Sequence, residues 1–559
     1  MATNGNDEYF PEPSEDNCEA MEWDGNNESI PQSSEESSEE SSADSCESES
    51  AKNYLNSISN MDERREKLCR GYAEQRWGGD VFITLMNCQS LFPSDEDKRY
   101  FVKFALTEFH SSTDFNLMIL KMIKESNFNM HDFRFEDGKS AVHYLASIDA
   151  LPIIPLQRRL MLPFMEFFLE NAEQNYQDEH GYTYLHGACM SGNVTALNML
   201  LSQGVDVNLN SYRYAPLHIA AQYRNDNVVE ILLRHRASPN QPDHERSTPL
   251  HALARLRICD CDDGLDVCDR KRPVDKLVEM LVGDGAELEA RNSHGDTPLQ
   301  LAVSRFDREL VEALLKRGAS ISNLNDDRMF SWDFSPLELR YPYTLWIIET
   351  IRLLQSAGYE MDFQARFRMI KLWMRVRGND ADYILSDLDH YSYASLCHHL
   401  SITETFGFYI HQNTNDFWRQ KLEQLRPFHG NNALDSILVI GYGFTLEDAA
   451  KMNAIKVTED ISLYQLCQMN YSEGYSILKN IQNWRIPPMD QISGTTMNIR
   501  VKRHIGNILM RRELELFVSD LFMTNHCQLN LPHTACRKIT EYMSYEDLLR
   551  ICEQIIEDN

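Results

Sequence analysis

Four segments of this 559-residue chain repeat one another, and no other feature limits its fold so tightly. They read HGYTYLHGAC (180–189), YRYAPLHIAA (212–221), ERSTPLHALA (245–254) and SHGDTPLQLA (293–302). His186, His218, His251 and Gln300 share one column at intervals of 32, 33 and 49 residues, the last being the period plus a 16-residue insertion. A second helical pattern follows each: NVTALNMLLSQGVDVN (193–208), NVVEILLRHRASPN (227–240), VDKLVEMLVGDGAELE (274–289) and RELVEALLKRGASI (308–321). A unit this short cannot bury its apolar face alone, so the units must stack, each against its neighbours. The expected fold is therefore all-α, an α-solenoid of stacked helix pairs.

The residues within each unit have local reasons. Thr248-Pro249 and Thr297-Pro298 place a hydroxyl at a helix N-cap and proline in the next position, where its missing N–H costs nothing. Gly204, Gly285 and Gly318 stand just past the second helix, where a left-handed backbone is expected. Arg236 holds that slot in repeat two, at a cost of about 1 kcal/mol relative to glycine. The pairs Leu200-Leu201, Leu232-Leu233 and Leu314-Leu315 are expected on the buried face between repeats. The period and the TPLH turn resemble the ankyrin repeat, clearly over 178–322. Divergent units flank these: EDGKSAVHYLAS (136–147) with PFMEFFLENAEQN (163–175), and SPLEL (335–339) with IIETIRLLQSAGYEMD (347–362). The reading is an ankyrin-repeat stack over 136–362, with atypical end units because the ends of a stack must cap its core.

Residues 1–50 hold 16 Asp and Glu and not one Lys or Arg, and Ser33–Ser50 is low-complexity Ser/Glu. Such a tract lacks the apolar surface to offset ordering entropy, so 1–52 is expected to be a disordered acidic tail. Ser33, Ser37 and Ser41 each have an acidic residue three positions on, the pattern of acid-directed kinases. Residues 53–135 read as helical: Val81, Leu85 and Cys88, then Phe101, Phe104, Ala105 and Phe109, recur at threes and fours. Thirteen cysteines without a small-domain framework suit a reducing compartment, the cytoplasm or the nucleus. A net charge of −31 argues against nucleic acid as a ligand. A mean hydropathy of −0.46 with no long uncharged apolar run argues against a membrane span, and no secretory signal pattern opens the chain.

Enzyme and metal motifs are not legible. Cys259, Cys261 and Cys268 in the insertion 257–273 fit no paired zinc spacing, and its aspartates fit no EF-hand register. Cys397-His398-His399 has no orienting partner, and Gly441-Tyr442-Gly443 lacks the Lys and Ser/Thr of a phosphate loop. No catalytic residue, metal or cofactor is expected. What a stack can do is present a concave face lined by hairpin tips and first helices. The candidate protein-binding tips are Tyr212, Arg213 and Tyr214, then His244, Glu245 and Arg246, then Asn292, Ser293 and His294.

Residues 363–520 read as irregularly amphipathic helices without the period, and 521–559 as a separate end. There LNLPHTACRKITEYMSYEDLLRICEQIIEDN (529–559) opens a helix at Leu531-Pro532 with Ile539, Tyr542 and Met543 on its apolar face. A second starts at Ser544 with Asp547 and carries Leu548, Leu549, Ile551 and Cys552. The pattern resembles the F-box, and more particularly the F-box-like end of the PRANC domain. That domain closes ankyrin proteins of poxviruses and occurs in those of parasitoid wasps and their bacterial symbionts. ISLYQLCQMNYSEGYSILKN (461–480) is similar to the linker of insect members, while the acidic residue usual after Leu-Pro is replaced by His533-Thr534-Ala535. The resemblance implies a substrate adaptor. Its repeats would hold a target protein, and Leu531, Pro532, Ile539, Tyr542, Leu548 and Leu549 would dock on the linker subunit of a cullin–RING ubiquitin ligase. The other reading is a stoichiometric binder or retention factor like the ankyrin inhibitors of Rel-type transcription factors, although their Asp-Ser-Gly phosphodegron is absent.

Overall fold

A computed structural model describes residues 51–73, 84–86, 88–107, 134–135, 137–149, 162, 164–170, 174–255, 274–331, 343–382, 400, 403–409, 412–429, 446–479, 495–524 and 531–557. Ser33, Ser37 and Ser41, the insertion 257–273, residues 335–339, Cys397-His398-His399 and Gly441-Tyr442-Gly443 lie outside them. The described residues are helical apart from turns and two isolated bridges, Gln177↔Thr183 and Lys456↔Ser462. The chain divides into two units, Met1–Lys98 and Arg99–Asn559. In the first, Leu55, Leu68, Leu85 and Leu91 are buried, and the Arg65 guanidinium lies 2.6 Å from Asp97, whose carboxylate also accepts from the Ser94 amide at 2.9 Å.

The second unit contains the repeats. Inner helices are Ala141–Asp149, Tyr184–Ser191, Pro216–Gln222, Pro249–Ala252 and Pro298–Ser304. Outer helices are Val194–Ser202, Asp226–Arg234, Val274–Gly283, Arg308–Lys316 and Tyr343–Ser356. Inner helices pack on inner and outer on outer, forming two layers with the core between them. Gly204, Gly285 and Gly318 have φ of 81°, 94° and 93°, and Arg236 takes the same conformation at 66°. Of each leucine pair the first is fully buried (Leu200, Leu232, Leu314); Leu233 is buried as well, while Leu201 and Leu315 are half-exposed. Adjacent helical residues point about 100° apart, so the second leucine of a pair lies at the edge of the buried face and is covered in one pair but not in the other two.

The histidine column joins the repeats. His251 Nε2 lies 3.0 Å from the Asp296 carbonyl oxygen, so that nitrogen carries the proton. Nδ1 then accepts from the Thr248 amide at 3.1 Å and the Thr248 hydroxyl at 2.9 Å. His218 Nε2 reaches the Ser247 carbonyl at 2.9 Å, but its Nδ1 finds no partner because the cap there is Ala215. Gln300 makes the equivalent link, accepting from the Asn325 amide at 2.6 Å and donating to its carbonyl at 3.4 Å. The divergent first unit keeps the design, with His143 Nδ1 accepting from the Ser140 amide at 3.1 Å.

A further repeat-like unit appears at 455–478. Val457 N donates to Ile461 O at 2.9 Å and Leu463 N to Ile455 O at 2.8 Å, as Asp178 N does to Tyr182 O (2.9 Å) and Tyr184 N to Tyr176 O (3.2 Å). Ser462 caps Leu463–Gln468, with Gln465 in the place of the histidine. Asn470 caps Tyr471–Leu478. The segment read as a linker is built as another hairpin and helix pair.

Helix Thr495–Met523 forms the spine of the C-terminal part, packed by Tyr343–Ser356, Phe363–Asp382, Tyr471–Leu478, His533–Tyr542 and Tyr545–Glu557. The boundary read at 520/521 falls inside this helix, because Leu514, Phe517, Val518 and Leu521 continue one buried run through it. At Gly506 an added Cβ would stand 2.8 Å from the Leu345 amide nitrogen, so two helix backbones approach closely where a side chain is absent.

Candidate protein-binding face

Three of the four hairpin tips, all but the second, are each fixed by one side chain accepting two amides. Asp178 Oδ1 accepts from the His180 and Tyr182 amides at 2.9 and 2.8 Å. Asp243 Oδ1 does so for Glu245 and Ser247 at 2.9 and 2.8 Å. Asn292 Oδ1 does so for His294 and Asp296 at 3.0 and 2.9 Å. Asn292 is therefore buried, 7% exposed, and is corrected from a contact residue to a tip scaffold. The other eight tip candidates remain accessible: Arg213, His244, Glu245, Arg246, Ser293 and His294 are exposed, and Tyr212 and Tyr214 are half-buried.

Successive tips are tied into one ridge. Ser211 Oγ donates to the Gly181 carbonyl at 2.8 Å, and the Ser293 amide to the Glu245 carbonyl at 2.7 Å. Arg328 Nη1 donates to the His294 carbonyl at 2.9 Å. Along the ridge runs an aromatic ladder: Tyr182 to Tyr212 at 5.2 Å, Tyr212 to Tyr214 at 5.7 Å, Tyr214 to His244 at 5.7 Å between ring centroids. The Arg213 guanidinium lies 4.8 Å from the Tyr214 centroid, and Arg255 lies 4.3 Å from it while paired with Asp243. Arg255 and Asp243 were not found from sequence, since nothing local links an arginine in the turn after a first helix to a tyrosine one repeat earlier.

Gly181 tests how tightly the tips pack. A Cβ there would fall 1.7 Å from the Ser211 carbonyl oxygen, and φ is 83°. Gly181→Ala should cost about 2–3 kcal/mol, from left-handed strain plus displacement of the next tip. Urea denaturation reads the loss, and a cost under about 1 kcal/mol would show that the tips yield freely.

At the C-terminus the six residues read as one docking set divide. Tyr542 is 89% exposed and Ile539 40%, and Pro532 is exposed with Leu531 half-buried beside it. Leu548 (0%) and Leu549 (5%) belong to the core, a correction with a plain reason: Tyr545–Glu557 packs on the spine helix. Arg511 holds the turn between the last two helices, donating to the Met543 carbonyl at 2.8 Å and to Glu515 at 2.8 Å. Among the described residues no three His, Cys, Asp or Glu side chains converge closely enough to hold a metal ion. No described helix is long and apolar enough to cross a membrane.

Two overlapping stretches, 109–211 and 156–243, match the family model of ankyrin repeats in three copies, and 294–327 matches that of the single ankyrin repeat. These repeats are ankyrin repeats. The interval between the matches holds repeat three, whose insertion interrupts the period. The chain is 32% identical over 150 residues to B-cell lymphoma 3 protein homolog of Mus musculus, covering 26% of this chain and 31% of that protein. It is 32% identical over 157 residues to E3 ubiquitin-protein ligase KEG of Arabidopsis thaliana, covering 27% and 9% respectively. It is 33% identical over 127 residues to alpha-latrotoxin-Lh1a of Latrodectus hasselti, covering 22% and 9%. The similarity thus spans less than a third of each relative's length. Ankyrin repeats are protein-interaction modules, and the ankyrin stack gives this chain a face for a protein partner.

Proposed function

We propose that the chain is a non-catalytic adaptor with two contact surfaces. The ankyrin tips hold a target protein, and the C-terminal helix pair docks on the linker subunit of a cullin–RING ubiquitin ligase. The observation that carries the second half is the exposure of Tyr542 and Ile539 on a helix whose other face is anchored to the spine. An exposed aromatic–aliphatic pair on a rigid helix is a suitable anchor for a partner's groove. Cytoplasm or nucleus is where such a partner would be met.

The test is capture of the linker subunit from cell extract by the full chain and by Ile539→Asp/Tyr542→Asp. These positions lie outside the core, so the variant should fold, whereas a change at Leu548 would damage packing. Loss of capture with an unchanged melting curve supports the adaptor. Equal capture by both forms sinks this docking surface. No capture by either favours the second reading, a stoichiometric ankyrin binder of the Rel-inhibitor kind, which needs only the repeats.

A further inference from the structure

The chain carries −31 net charge, yet its tip ridge is locally cationic. Tips two to four each carry one exposed arginine against a single exposed carboxylate, Glu245. Arg213 and Arg246 stand at the apex, and Arg291 stands four residues before the apex residue Gly295, to whose carbonyl its guanidinium donates at 2.8 Å. The turns after the outer helices show the reverse: Asp206, Asp284, Glu287 and Glu289 are exposed against Arg236, while Arg234 and Lys316 at the helix ends are paired with Glu230 and Asp275. The two carboxylates at the ends of the ridge are already paired, Glu179 with Lys139 at 2.8 Å and Asp327 with Arg368 at 2.6 Å. Positive charge is therefore concentrated between tips two and four, beside the half-buried rings of Tyr212 and Tyr214. Arg246 is held in a left-handed turn at φ 59°, which fixes the direction of its backbone at the apex.

Spacing adds a register. Packed helices stand about 8–10 Å apart, so neighbouring tips repeat at roughly that distance. An extended chain advances about 3.3 Å per residue, so three residues span one tip interval. We propose that this ridge binds an extended acidic segment of a partner protein, with carboxylates about every third residue facing Arg213, Arg246 and Arg291 in turn. Charge complementarity selects the segment, and the aromatic ladder gives its intervening side chains a surface to lie on. The inference rests on the reading of the tips as the target-binding face and names the partner's chemistry.

Anisotropy titrations with the full chain would use two labelled peptides of identical composition. One carries Glu at every third residue among Ser and Ala; the other has the same glutamates in a single block. The variant Arg213→Ala/Arg246→Gly/Arg291→Ala removes three charges while suiting the left-handed position. The expected result is preference for the spaced peptide, affinity that falls with added salt, and about tenfold weaker binding by the triple variant. Circular dichroism melts confirm that the variant is folded. Equal binding by chain and variant, equal binding of both peptides, or stronger arginine-dependent binding of a single-stranded oligonucleotide would each overturn the proposal. A Tyr212→Ala/Tyr214→Ala chain, tested for target crosslinking, separates the two levels: crosslinking lost there while the peptide fails overturns only the charge reading.

Discussion

Asp307→Ala should destabilise the ankyrin stack by about 3–5 kcal/mol, more than any tip substitution. Asp307 caps helix Arg308–Lys316, accepting from the Leu310 amide at 3.3 Å, and its other oxygen lies 2.5 Å from Arg224 Nη2. Arg224 comes from repeat two and Asp307 from repeat four, 83 residues on, with side chains 1% and 4% exposed. Between them lies repeat three, whose inner helix is only four residues long, and Arg224 also donates to its Leu253 carbonyl at 3.4 Å. Deleting the carboxylate leaves a desolvated guanidinium without its counter-charge and removes a helix cap. Total stability of a domain is about 5–15 kcal/mol, so this is a large share. Hydrogen exchange of amides 250–253 and 308–316 would read the effect locally. Arg224→Met/Asp307→Leu should recover much of the loss, because it removes both charges together. A single-variant cost below about 1 kcal/mol would mean that the pair does not tie the repeats.

Acid should destabilise the stack and the spine helix beside it over a defined window. Burial pushes His186 down to about 3 and His218 and His504 down to about 4, and holds His143 and His251 below the ordinary histidine range. An unfolded histidine titrates near 6.5. Between that pH and about 4 the unfolded chain binds more protons than the folded one. The histidine contribution is therefore complete above pH 6.5 and declines as pH falls to about 4, with His186 extending the loss to about 3. One pH unit of such a shift is worth about 1.4 kcal/mol, so several histidines together approach the total stability. Gln300 shows that glutamine can make the same inter-repeat link without titrating. His218→Gln should flatten the stability–pH slope by about one proton in this window while changing stability at pH 7.5 far less. Denaturation curves from pH 7.5 to 4.5 check this, and an unchanged slope would remove His218 from the account.

Much of the repeat was legible because its determinants are local. Thr–Pro caps, a glycine or strained arginine past each outer helix, and the histidine column each act within one unit or on the next, so a 33-residue period exposes them. The tip ridge was legible in outline for the same reason. Asn292 was misassigned because the same residue type serves an exposed contact and a turn scaffold equally well. Only its two accepted amides distinguish them.

The C-terminal part was harder to read. Helix Thr495–Met523 buries Ile505, Ile508, Leu514 and Phe517, but also Lys502, His504, Arg511 and Glu513, because other helices surround it. A helix enclosed on several sides has no single apolar stripe, so periodicity cannot mark it or its boundaries. The leucines of the last helix were apolar enough for a core or for a partner, and sequence could not choose. By itself the sequence determined the ankyrin units, their caps and their order. Tertiary structure alone decided that Leu548 and Leu549 face the spine while Tyr542 faces solvent, and that Arg224 meets Asp307 across an intervening repeat. Those outcomes depend on which distant surfaces meet, and no local spacing encodes that.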